Sequence, residues 1–137
     1  MNNISKIHEN KYKYIFFDIF DTLLYRKVQP EFTKKIWANH LTSALDLNVT
    51  MIELYTLRNK LETVLGEKNY KIGKDREFKY IDLIKEIYAR IKTNITENEF
   101  IALATNIEIG VESSVLIPHE NIIKKIEKEI KNNKQIY

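Results

Sequence analysis

Cysteine is absent from this sequence, and glycine and proline are scarce, with three and two residues respectively. The lack of cysteine excludes disulfide frameworks, thiolate metal sites and cysteine nucleophiles, and fits a reducing cytosol. So few turn-forming residues argue against sandwiches and barrels made of many short strands, and favour long helices. No apolar run approaches the roughly 20 residues that cross a membrane. The polar stretch Met1–Asn10 has no apolar segment of the kind a signal peptide needs. The expected location is therefore the cytoplasm, with no membrane span.

What is present is a soluble, globular composition: 137 residues, 44% hydrophobic and 30% charged, with 22 basic and 19 acidic side chains. That length suits one compact domain, or a small core carrying an inserted lobe. The positive balance is mild and interspersed. Its densest stretch, Lys124 to Lys134, is diluted by Glu127 and Glu129, so the pattern argues against a nucleic-acid partner.

Along the chain, Tyr12 to Phe17 is aromatic and β-branched and runs into Asp18, which reads as a strand buried toward its carboxyl end. Helical patterns follow. Pro30 suits a first turn, ahead of Phe32, Ile36, His40/Leu41 and Ala44/Leu45. Thr50 and Glu53 make a T-x-x-E capping box before Leu54, Leu57, Leu61 and Val64/Leu65, and Gly66 is placed to end that helix. A third stripe runs through Phe78, Ile81, Ile84, Ile87/Tyr88 and Ile91. Thr96 and Glu99 form a second capping box before Phe100, Leu103/Ala104, Ile107 and Val111. Pro118 reads as the start of a fifth helix with Ile122/Ile123, Ile126 and Ile130 inward. Gln135–Tyr137 looks like the beginning of a second strand. The expectation is a helix-dominated chain with one or two strands.

Chemistry concentrates in Phe17-Asp18-Ile19-Phe20-Asp21-Thr22-Leu23-Leu24. An acid at the carboxyl end of a buried strand stands where open α/β sheets bind ligands. Such a carboxylate can hold a hard cation or attack phosphorus. Read alone, Asp18 and Asp21 are better explained as caps of the turn that leaves the strand.

Residues 14 to 26 resemble the first motif of the haloacid dehalogenase (HAD)-like superfamily of Asp-nucleophile hydrolases. There, apolar residues lead into the nucleophilic Asp, and Thr-Leu stands four and five positions later, as Thr22 and Leu23 do here. The F-D-x-F-D-T-L-L form is similar to that of bacterial members, some joined to surface-polysaccharide glycosyltransferases. The resemblance implies an α/β fold, a Rossmannoid core with an inserted helical cap. It divides the chain into 1–27, the first strand and catalytic loop, 28–116, the cap, and 117–137, a core helix and the start of a strand that stops short. It also implies a Mg²⁺-dependent phosphatase working through an aspartyl-phosphate on a small phosphorylated substrate. Asp18 would be nucleophile and metal ligand, Phe20 would offer its backbone carbonyl to the metal, Thr22 would hold phosphoryl oxygens, and Arg26 would attract an anionic substrate.

Two departures accompany that resemblance. The superfamily's general acid/base stands two residues after the nucleophile, where this chain has Phe20. Asp21, one residue later, would face elsewhere on an extended backbone. The superfamily's later Ser or Thr, Lys and acids would all fall beyond Tyr137, so the 137 residues alone are expected to be catalytically silent. The alternative is a non-enzymatic helical interaction or regulatory remnant, self-associating through exposed core surface. His8, His40 and His119 have no metal-ligand spacing. Glu108 and Glu112, four apart, read as a solvated helix face, or else as a pair able to meet a cation or an interface.

Overall fold

A computed structural model describes residues 13–137, and the readings made on Met1–Asn10, on His8 and on Tyr12 lie outside them. Nine elements follow in order: β1 (Tyr14–Ile15), β2 (Leu24–Arg26), α1 (Pro30–Ala44), α2 (Met51–Lys71), α3 (Tyr80–Tyr88), α4 (Glu97–Val115), β3 (Leu116–Pro118), α5 (Glu120–Lys131) and β4 (Gln135–Ile136). The chain is helix-dominated and carries two small two-stranded sheets. It divides into two compact units, Met1–Lys27 with Leu116–Tyr137, and Val28–Val115. Among the described residues no helix is long and apolar enough to cross a membrane.

In the helical unit, α1 packs on α2 and α4, and α3 packs on α2 and α4, so the four helices close a ring. Trp37, Leu41, Leu54, Leu83, Ile84, Ile87 and Phe100 fill its centre and are at most 1% exposed. Both capping boxes form. Thr50 N donates to Glu53 Oε2 at 2.8 Å, and Glu53 N donates back to Thr50 Oγ1 at 3.3 Å. At α4, Thr96 N donates to Glu99 Oε2 at 2.8 Å, and Glu99 N donates to Thr96 Oγ1 at 3.4 Å. Each box satisfies donors that a helix start leaves orphaned.

Several expectations are corrected. Gly66 does not end its helix; it lies buried inside α2, which runs on to Lys71. A Cβ there would sit 2.9 Å from the carbonyl oxygen of Arg76, so the missing side chain admits the loop that folds back along α2. Gly66→Ala is therefore expected to destabilise the unit by about 1–3 kcal/mol through overpacking. Gly110→Ala, in α4 with open space where a Cβ would go, is expected to stabilise by about 0.5–1 kcal/mol through helix propensity. Opposite shifts in urea midpoint check the pair. Pro118 ends β3 rather than opening α5, a position where its missing N–H breaks no ladder. The inward faces also shift. Phe32 is 56%, Ile81 44% and Ile130 54% exposed, while Ala38 and Leu83 take buried places.

Four short strands appear where one or two were expected. β1 runs parallel to β4, with Tyr14 opposite Gln135 and Ile15 opposite Ile136. β2 runs antiparallel to β3, Leu24 opposite Pro118 and Arg26 opposite Leu116. The unforeseen pair carries the chain out toward the helices and back, and three-residue strands leave too little alternation to read.

Candidate active site

The parallel ladder places Asp18. Gln135 N donates to Lys13 O at 3.1 Å, Tyr137 N to Ile15 O at 2.9 Å, and Phe17 N to Tyr137 O at 2.8 Å. Asp18 comes immediately after this last bond, at the carboxyl end of β1. The chain then turns rather than extending. Leu23 N and Leu24 N both donate to Ile19 O at 2.9 Å, and Asp21 N donates to Leu24 O at 2.7 Å. Asp21 sits at the turn's tight point with φ 59°, a left-handed conformation that aspartate tolerates better than most residues.

Within this turn, Asp18 is exposed, and its Oδ1 accepts from Ile19 N at 2.8 Å. Asp21 is exposed and Thr22 half-buried. Phe20 is 51% exposed, and the Arg26 guanidinium on β2 lies 5.5 Å from its ring centroid. Arg26 is thus anchored in part by a cation–π contact. Strand alternation does not set the direction of Asp21, since residues 19–23 form a turn and not a strand.

A carboxylate and a backbone carbonyl suit a hard cation, which prefers oxygen. Asp18 and the Phe20 carbonyl are oxygen donors of that chemical kind. Among the described residues no group of three or more His, Asp or Glu side chains comes together to complete one. Both aspartates meet solvent, so the fixed field that preorganised sites apply to a reacting group is not built around them.

A second polar constellation, missed in the sequence, lies within the helical unit. Arg58 is 5% exposed. Its Nη1 and Nη2 donate to Glu108 Oε2 and Oε1 at 2.7 and 2.9 Å, and its Nε donates to Glu62 Oε1 at 2.9 Å. The guanidinium lies 4.7 Å from the Trp37 ring centroid. Lys34 Nζ donates to Glu62 Oε2 at 2.6 Å and to Asn59 Oδ1 at 3.0 Å, and the Tyr55 hydroxyl donates to Glu31 Oε2 at 2.7 Å. Glu108 is therefore a partner inside the unit rather than a solvated acid. The available signal was an arginine in the apolar stripe between Leu54 and Leu61. His40 is exposed, and His119 is half-buried with its ring 4.8 Å from that of Tyr25.

Burial works against the charges of Lys34 and Arg58. The hydrogen bonds and attraction of Glu62 for the first, and of Glu108 then Glu62 for the second, outweigh it and raise both pKa values. Burial, then the nearby Glu108 charge, pushes the Tyr80 hydroxyl up. The Tyr55 hydroxyl lowers Glu31, and the Thr50 and Thr96 capping bonds lower Glu53 and Glu99. These three carboxylates contribute stability that is complete above the ordinary glutamate pKa and is lost as pH falls through their lowered values. The urea midpoint is expected to hold near neutrality and to drop as pH falls below about 4. A midpoint unchanged in acid would contradict those shifts.

No family model matches the chain, and no curated protein matches it.

Proposed function

We infer that the strand-bearing unit is the opening part of a HAD-like hydrolase core and that Val28–Val115 is its helical cap. The complete enzyme would be a Mg²⁺-dependent phosphatase. The observation that carries this reading is the position of Asp18, at the carboxyl end of a strand whose parallel neighbour is reached through a helix. Parallel pairing demands a crossover, and β1, the helical insertion, α5 and β4 supply one. Ligands of open parallel sheets bind at that end of the strands.

In this reading the Asp18 carboxylate attacks the substrate phosphorus, the phosphorus–oxygen bond to the leaving alcohol breaks, and an aspartyl-phosphate results that water then hydrolyses. Thr22 would bind phosphoryl oxygens, and Arg26 would draw the anionic substrate in. Asp21, freed from strand alternation by its turn, is the acid available to protonate the leaving oxygen. Mg²⁺, held by Asp18 and the Phe20 carbonyl, would offset phosphoryl charge when bound.

In this reading the superfamily's later Ser or Thr, Lys and acids are not among the 137 residues, and groups that act as a unit lose nearly all rate enhancement when some are missing. With p-nitrophenyl phosphate and Mg²⁺, the chain is expected to show no turnover above background. A longer chain supplying those groups is expected to turn over, and Asp18→Asn to abolish it. Turnover by the 137 residues that Asp18→Asn removes would overturn the silence. Turnover that survives Asp18→Asn in the longer chain would overturn the nucleophile.

The second reading, a non-enzymatic interaction module, draws on one observation. Tyr14, Phe16 and Tyr137 on the β1–β4 pair are 48%, 76% and 61% exposed, although parallel sheets are ordinarily covered on both faces. Self-association that Phe16→Ser abolishes in light scattering would favour it.

A further inference from the structure

We draw no further inference here: the strongest candidate, the open polar cleft of about 350 Å³ between the α1–α2 and α3–α4 connections of the helical unit, holds nothing that selects a ligand, since Asp46 and Lys92 on its wall are exposed side chains of opposite charge, Asn48 Oδ1 already accepts from Lys92 N at 2.6 Å, and the unpartnered Thr93 hydroxyl is closed off from solvent and so from any occupant.

Discussion

Arg58→Met is expected to destabilise the helical unit by about 3–5 kcal/mol, the range for breaking a buried ion pair by removing one partner. The guanidinium satisfies both oxygens of Glu108 and one of Glu62 while lying against the Trp37 ring. Methionine keeps some of that packing and leaves Glu108 half-buried beside an apolar side chain. Glu62 retains Lys34, 2.6 Å away, so the unpaired charge falls chiefly on Glu108. The double variant Arg58→Met/Glu108→Met is therefore expected to recover most of the loss, because an apolar pair of similar volume often replaces a buried ion pair without penalty. Urea unfolding followed by helical ellipticity measures both. A double variant no more stable than the single one would mean that the ion pair does more than satisfy itself.

Trp37→Ala is expected to destabilise by a similar amount, about 3–5 kcal/mol. The indole is fully buried, and its Nε1 donates to Ala104 O at 3.0 Å, joining α1 to α4. Truncation opens a cavity and removes the surface on which Arg58 rests. Tyr80 Oη also donates to Ala104 O, at 3.1 Å, so that carbonyl keeps one partner and the cavity accounts for most of the change. Because Trp37 and Arg58 touch, Trp37→Ala/Arg58→Met is expected to fall short of the sum of the single losses. Strict additivity in a double-mutant cycle would show that the stacking contributes nothing.

The helices were legible because their signals are local. Thr50 with Glu53 and Thr96 with Glu99 announce two helix starts within four residues, and the stripe Phe100, Ala104, Val111 has the helical period. Where the reading slipped, distant parts of the chain decide the outcome. Gly66 reads as a terminator until the Arg76 carbonyl arrives against it, and Phe32 reads as core until α1 packs on α2 and α4 with Trp37, Ala38 and Leu41 inward. β2 and β3 are too short to show a period, and they pair only because residues about ninety apart in sequence meet.

At the candidate site, the motif marked Asp18, and the placement of that residue after the β1–β4 ladder follows from hydrogen bonds to Tyr137. The turn that reorients Asp21 is set by the Ile19 carbonyl accepting two amides, which no residue pattern announces. Arg58 was missed because its partners lie on two helices, one of them fifty residues away.

The pairing of β2 with β3 hydrogen-bonds the strand that leads into the helical insertion to the strand that leads out of it, one interstrand spacing of about 4.8 Å apart. A segment whose ends already touch behaves as a cassette. It can be lengthened, shortened or exchanged for another bundle while the junction stays the same, since a larger loop closed at the same two points adds little entropic penalty. Under the proposed hydrolase reading, selectivity can drift in one part of the gene while the scaffold that presents Asp18 stays untouched.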